Sequence, residues 1–366
     1  MLNAPVFDRP PVRLQTPNPS MDPAQLLALV QAEFDPRVRS VRHLSGERDL
    51  NFLLTLEGTE QRCVLKVSDA AENPASLALQ NATLEHLAQR APQLPVQRIY
   101  RWRQGDHMLA LPGEDGVRYA RVLAYLPGLP LYEAPPSAAQ RQAIGAVLAQ
   151  LDHALQSLDH PVVTNDALYW DIHRTPELVE WLPSMADAQL RAWGERVFAQ
   201  YVDEVAPHLD TLPRQFLHND FNPYNLLLQP TDPTQIAGVL DFGDMVHGPR
   251  VFDVAVAASY QAQEHQQPRL ACLLEMVQGY QQANPLSHRE LALVPLLAAV
   301  RCAITLCITE RRAQWFPENR RYILRNHGIA SAGLRALMEA GLDTVATHLL
   351  ALHAATPSDA ATGDTA

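Results

Sequence analysis

The chain has 366 residues, 47% of them hydrophobic and 19% charged, a balance that suits a globular protein of two or three structural units with a core of useful size. Its formal net charge of −11 and pI of about 5.7 exclude a general electrostatic pull toward nucleic acid or an anionic membrane, so any phosphate must be met by a few local cations and backbone N–H groups. Cys63, Cys272, Cys302 and Cys307 form no CxxC pair, which argues against a disulfide framework or zinc site and fits a reducing compartment.

Residues 1–20 read as a flexible, Pro-rich arm with no apolar run of signal-peptide length. A short helix near 23–33 precedes three strand-like runs, "VRSVRHL", "LNFLLTL" and "QRCVLKV". Their separators, "SGERD" and "EGTE", carry turn residues, so the pattern predicts an antiparallel meander. "NPASLALQNATLEHLAQ" then shows helical spacing, with Leu77, Gln80, Leu84 and Leu87 on one face. Two more strands are expected near 97–103 and 117–126, and Pro127, Gly128 and Pro130 mark a boundary.

Beyond it the spacing predicts helices at 137–158, 187–207, 251–265, 270–283, 287–312 and 330–341. One hairpin interrupts them, with "NLLL" and "IAGVLDF" as strands and "QPTDPTQ" as turn. The most apolar stretch, 291–308, contains Pro295 and Arg301 and reads as a buried helix rather than a membrane span. Residues 354–366 read as a disordered tail. The expected architecture is α+β: a small antiparallel β-rich N-lobe (21–126), a helical C-lobe (127–353) and a cleft between them, in a cytoplasmic protein.

The hairpin is bracketed by chemistry. "FLHNDFNPYNLLL" (216–228) places Asp220 and Asn225 before its first strand, and "VLDFGDMVHGPRVFD" (239–253) places Asp241 after its second. Antiparallel pairing brings these ends together. Kinase phosphoryl transfer needs such a convergence: one Asp to orient the attacking hydroxyl and accept its proton, and an Asn and a second Asp to hold Mg²⁺ on the phosphates. The kinase catalytic loop spaces its Asp and Asn as Asp220 and Asn225 are spaced. His218 reads as a core histidine bonded to backbone, and Asp253 as a helix cap or an anchor of the loop.

These motifs resemble the aminoglycoside phosphotransferase/choline kinase family, over roughly residues 35–345. "LDFGDM", "VFDVAVAASY" and "SGERDLNFLL" are similar to its hydroxylysine kinase branch and to kinase domains fused to class-III aminotransferases. The resemblance implies a protein-kinase-like two-lobed fold, Asp220 as catalytic base, Asn225 and Asp241 as Mg²⁺ ligands and Lys66 on the phosphates. Lys66 also suits that task unaided, as a cation on an alternating strand.

Two features depart from the kinase pattern. The turn "SGERD" has one glycine, so phosphate would meet backbone N–H groups of residues 45–49, Ser45 and Gly46 among them, with Arg48 either an added cation or a solvated turn residue. Where kinases pair the lysine with a helix glutamate, the inward position holds Gln80, and Glu85 lies about 140° around the helix. Asp244, Arg301 and Trp170 are candidates for the acceptor pocket; a buried arginine suits either a substrate carboxylate or an internal acid.

The resemblance implies a small hydroxylated amine or amino acid as acceptor, hydroxylysine first, with homoserine, choline and aminoglycosides as sister substrates. ATP and GTP both remain open as donor, because the segment near "LAYLPG" would read a purine through backbone groups. Two other classes compete. A non-catalytic nucleotide-binding protein would be expected to lack one of Asp220, Asn225 and Asp241, and a protein kinase would carry an APE segment after Asp241.

Overall fold

The computed structural model describes residues 21–44, 49–113, 116–162, 168–261 and 269–355. The expected arm and residues 356–366 of the expected tail lie outside these residues, as do Ser45, Gly46 and Arg48. Two compact units partition the chain.

The first comprises the described residues of Met1–Gly128, Leu158–Ala167 and Ala237–Gly243. Helix α1 (Pro23–Glu33) leads into strands β1 (Val38–Leu44), β2 (Leu50–Leu56) and β3 (Arg62–Val67), then helix α2 (Pro74–Arg90) and strands β4 (Ile99–Tyr100), β5 (Leu109–Gly113) and β6 (Gly116–Ala124). The strands form one sheet in the order β1-β2-β3-β6-β4, with β5 also on β6. Alternation along β3 buries Cys63, Leu65 and Val67 against Leu26 and Val30 of α1, Phe52, Leu54, Trp102 and Val122, and leaves Lys66 on the opposite face. Register sets Asn51 opposite Lys66, and Lys66 opposite Arg121.

Asn73 caps α2 by accepting from the Ala75 N–H at 3.0 Å, with Pro74 at the first helical position. Leu77, Gln80, Leu84 and Leu87 are buried together, as the periodicity predicts. The strand expected at 97–103 shrinks to two residues because the chain turns on itself at Trp102, whose N–H bonds the Asp106 carbonyl at 2.8 Å. β6 is the strand expected near 117–126, whereas β5, its hairpin partner, is not among the expected strands.

The second unit comprises the described residues of Leu129–Ser157, Leu168–Ile236 and Asp244–Ala366. In chain order it holds β7 (Leu129–Pro130), α3 (Ala138–Leu155), α4 (Thr175–Leu178), α5 (Ala188–Gln200), β8 (Arg214–Leu217), β9 (Leu226–Gln229) and the start of β10 (Asp232–Val239). There follow β11 (Val246–Pro249), α6 (Val251–Ser259), α7 (Arg269–Ala283), α8 (His288–Trp315), α9 (Arg320–Ile323), α10 (His327–Ala340) and α11 (Leu342–Ala355). One small sheet runs β10-β9-β7, and β8 pairs with β11.

The boundaries differ from expectation for local reasons. The β9–β10 turn is tighter than "QPTDPTQ", because Asp232 and Thr234 already lie in β10. The helix expected over 187–207 stops at Gln200 and continues as a π turn, Tyr201–Val205, and a 3-10 turn, Ala206–Thr211, near Pro207, which has no N–H to give. α6 ends at Ser259, where Tyr260 and Gln261 tighten to three-residue bonds. α11 extends the helical part beyond the last helix that the spacing predicts.

α8 opens on a capping box between Ser287 and Glu290. Among the described residues it is the one helix long and apolar enough to cross a membrane, and most of its apolar span is buried inside the molecule. α3 and α7 meet backbone to backbone. A Cβ at Gly145 would stand 1.9 Å from the Met276 carbonyl oxygen, and one at Gly279 would stand 2.0 Å from that of Gln142. Backbone cannot yield as a side chain can, so Gly279→Ala is expected to cost about 1–3 kcal/mol or more of stability in urea unfolding. Gly328→Ala is the control, since a Cβ there would meet nothing within 4 Å; it should leave the midpoint unchanged or raise it.

Candidate active site

In the first unit the Lys66 ammonium stands 3.4 Å from Asp49 Oδ2 and 3.3 Å from Asp241 Oδ1. Asp49 gets there by strand arithmetic: Asn51 is opposite Lys66, and the pleat puts the residue two places earlier on the same face. Asp241 gets there because Val239 pairs with Val96, donating its N–H to the Pro95 carbonyl at 2.7 Å. Burial works against the Lys66 charge, but Asp241 and Asp49 outweigh it and hold the ammonium above the ordinary lysine range. Lys66 is therefore a fixed, charged group at neutral pH.

Gln80 does not orient Lys66. Its Oε1 accepts from Arg121 Nη1 at 2.8 Å, and the Asn81 oxygen accepts from the same nitrogen at 3.3 Å. Arg121 is buried opposite Lys66, and its charge also faces Asp49 at 4.0 Å. A second cation so close would repel Lys66, and the neutral amides take its hydrogen bonds while Asp49 offsets both charges. Glu85 is not the partner either; it pairs with Arg101 and, at 2.6 Å, with His107. The sequence pointed to Asp49 only as backbone for phosphate, and its carboxylate as the partner of Lys66 was missed, although the alternation D-L-N along the strand entrance was the available signal.

Asp241 has φ +62°, a left-handed backbone that a non-glycine residue holds at a cost of about 1–3 kcal/mol. Its Oδ1 accepts the Gly243 N–H at 3.3 Å, and a Cβ on Gly243 would come within 3.1 Å of that oxygen. The glycine of DFG thus lets the turn close under the carboxylate, which is itself 51% exposed.

In the second unit Asp220 and Asn225 form one construction. The Asn225 Nδ2 donates to Asp220 Oδ2 at 2.8 Å and to the Asp220 carbonyl at 2.9 Å, which leaves Oδ1 as the metal-capable atom of that amide. Asp220 Oδ1 lies 3.6 Å from Arg301 Nη2, and the carboxylate keeps 23% of its surface open while Arg301 keeps 1%. Arg301 also donates to the Trp170 carbonyl, lies over the Trp170 ring and bonds Tyr260. Burial opposes its charge, and Tyr260, Asp220 and Asp244 restore it above the ordinary arginine value. The internal acid expected as one partner for Arg301 is thus Asp220 itself.

The loop carrying Asp220 is pinned from below. Asp253, in the first turn of α6, accepts the His218 N–H at 2.7 Å and the Asn219 N–H at 2.6 Å, so it anchors the loop rather than capping a helix. Asn219 sits at φ +61°, and its side-chain amide donates to the Asp244 carbonyl at 3.1 Å. His218 is wholly buried, edge-on to Phe221, with Nδ1 accepting the Asp220 N–H at 3.3 Å. It is the backbone-bonded core histidine that its setting in the sequence suggests. Asp244 is nearly buried and contributes its backbone oxygen to the loop.

The Asn225 amide oxygen in the second unit and the Asp241 carboxylate in the first are each a hard oxygen donor of the kind Mg²⁺ takes. Among the described residues no group of three His, Cys, Asp or Glu side chains forms a separate metal cage.

Comparison with known proteins agrees with this chemistry. Residues 40–291 match the family model described as "Phosphotransferase enzyme family". The chain is 28% identical over 349 residues to hydroxylysine kinase of Mus musculus, covering 89% of this chain and 92% of that one. It is likewise 28% identical to hydroxylysine kinase of Bos taurus, covering 84% and 86%. Among solved structures, a microcompartment-associated aminopropanol kinase superposes with a TM-score of 0.66 at 17% identity, covering 88% of this chain and 99% of that one. The amicoumacin kinase hAmiN, in complex with AMP-PNP, Ca²⁺ and Ami, gives 0.61 at 15% identity, covering 83% and 93%. The fold, a kinase-like α+β architecture, is shared with these enzymes, and the chain belongs to the phosphotransferase enzyme family.

Proposed function

We propose that this small-molecule phosphotransferase moves the terminal phosphate of a purine nucleotide to a hydroxyl of an amino acid or amino alcohol, with hydroxylysine as the first acceptor to test. The relatives named hydroxylysine kinase and aminopropanol kinase support that acceptor class. The observation that carries the reading is Asp220, a partly open carboxylate whose two oxygens are aimed by Asn225 on one side and Arg301 on the other. The free thiols Cys63, Cys272, Cys302 and Cys307, all buried, suit a cytoplasmic setting.

In this mechanism Asp220 accepts the acceptor's hydroxyl proton as the oxygen attacks the terminal phosphorus and the bond to the nucleoside diphosphate breaks. Little covalent work falls to the protein, so positioning and charge supply the rate. Lys66 contacts the phosphates. Asn225 Oδ1 and the Asp241 carboxylate would hold Mg²⁺, which when bound neutralises phosphate charge. Arg301 orients Asp220 and keeps its carboxylate compensated during the approach of the acceptor.

A panel of hydroxylated amino acids and amino alcohols, each with Mg-ATP and Mg-GTP, tests the class; hydroxylysine should be phosphorylated and Asp220→Asn should cut its turnover by about 10²-fold or more with nucleotide Kd nearly unchanged. A panel with no accepted hydroxyl compound, or a fully active Asp220→Asn enzyme, would remove the reading.

Asn225→Ala and Asp241→Ala should instead shift the Mg²⁺ concentration needed for half-maximal rate upward by about tenfold or more, because fewer oxygens remain to hold the ion. An unchanged Mg²⁺ titration in both variants would contradict the ligand assignment.

Arg301→Met separates two roles for the arginine. If it orients Asp220, kcat falls for carboxylated and uncarboxylated acceptors alike, by roughly 10-fold or more. A rise in KM confined to carboxylated acceptors would show instead that Arg301 reads the acceptor.

A further inference from the structure

Beneath the Asp220 loop lies a buried acid that the mechanism does not use. Asp152, on α3, is 0% exposed. Its Oδ2 accepts the Tyr280 hydroxyl of α7 at 2.7 Å, and its backbone carbonyl accepts the Gln215 amide of β8 at 2.8 Å. Its Oδ1 meets no hydrogen-bond donor among the described residues. What the side chain does meet is the carboxylate of Asp253, within hydrogen-bonding reach.

Two carboxylates cannot both ionise side by side in a dry interior. The nearby cation is already engaged. Arg250, just before α6, spends its guanidinium on Glu290 at 2.8 and 3.0 Å, Asn284 at 2.9 Å and the Pro285 carbonyl at 3.0 Å. Burial raises the Asp253 carboxyl as well, but His218, the two backbone N–H groups it accepts and the Asp152 bond all act to favour its anion. The Asp152 side chain accepts one donor, and burial together with the Asp253 charge pushes its carboxyl well above the usual range.

We propose that Asp152 is a positioning residue that keeps its proton at neutral pH and donates it from Oδ1 to Asp253, so that Asp253 stays anionic and fixed on the His218 and Asn219 amides that set Asp220. The proposal rests on the reading of the Asp220 loop as catalytic only for its effect on rate. The proton itself is independent of that reading. A buried line of contacts then joins the α8 cap to the loop: Glu290 to Arg250 to Asn284 to Tyr280 to Asp152 to Asp253.

The pH dependence follows in sign. A carboxyl whose native value is raised above 3.8 binds its proton more tightly when folded than when unfolded. Its contribution is complete below the unfolded value and is lost as pH rises through the native one. Above that point a second buried charge forms beside Asp253, and the two amides lose their fixed acceptor.

The experiment uses the full chain with Asp152→Asn, which keeps a donor toward Asp253 and an acceptor for Tyr280, and with Asp152→Ala, which keeps neither. The infrared difference spectrum of wild type minus Asp152→Asn at pH 7 should contain a protonated-carboxyl C=O band. Hydrogen exchange at the His218 and Asn219 amides should speed up beyond its ordinary base dependence as pH rises in wild type, and not in Asp152→Asn. With hydroxylysine as acceptor, Asp152→Asn should keep kcat within about threefold, while Asp152→Ala should lose about tenfold or more with nucleotide Kd within about twofold. Absence of the infrared band overturns the proposal, as does an Asp152→Asn variant that is unfolded or as impaired as Asp152→Ala. If no acceptor turns over, the proposed function fails while the infrared and exchange results still decide this one.

Discussion

The second unit is organised around one acid receiving two backbone amides. Asp253 takes the N–H groups of His218 and Asn219, and the loop that carries Asp220 is hung from the result. Asn219 can hold its left-handed backbone because its own N–H is tied down on one side and its side-chain amide on the other. Asp220 follows directly, with its carboxylate presented between Asn225 and Arg301. The helices α3, α6, α7 and α8 serve this anchor as much as they form a core, since each supplies a member of the buried polar line beneath it. Their tight approach, made by paired glycines on α3 and α7, is what brings the Tyr280 hydroxyl to Asp152.

The first unit solves a different problem, how to keep cations in a strand face that is largely withdrawn from water. Lys66 and Arg121 are cross-strand neighbours, an unfavourable pair if uncompensated. Asp49 answers both, Asp241 answers Lys66, and Gln80 with Asn81 answers Arg121 through neutral oxygens. The substitution of an amide where a kinase helix usually carries glutamate is therefore not a loss of the ion pair. The acid has moved from the helix to the strand entrance, and the helix position has been given to a different cation.

Much of this was legible in the chain. The spacing of Asp220 and Asn225, the hairpin after them, and Asp241 beyond it carried the signal for the family and for the proposed chemistry, and the inward face of α2 was readable from its period. What escaped depended on register or on partners distant in sequence. Asp49 could be matched to Lys66 only once Asn51 was known to oppose it. Arg301 announced itself as a buried charge, but its partner Asp220 lies several elements earlier in the chain, and nothing local distinguishes it from a substrate carboxylate. Asp152 was overlooked although it completes the stripe Gly145, Leu148, Ala149, Asp152, all buried; an acid at that position of an apolar face was the visible sign. The end of α5 in a π turn and the added helix α11 were missed, although Pro207 follows the first and the second has Val345 and Leu349 buried four residues apart.

The shared use of Asp241 has a thermodynamic consequence. Its carboxylate shares with Asp49 the neutralising of Lys66, so the ammonium and the Asp241 carboxylate compensate each other in part. An anionic ligand that draws the ammonium toward itself leaves Asp241 with less compensated negative charge, and a divalent cation that engages Asp241 leaves Lys66 with Asp49 as its remaining counter-ion. Each event raises the affinity for the other, and by linkage the two enhancements are equal. Under the proposed roles of Lys66 and Asp241, nucleotide and metal would load with positive cooperativity rather than independently.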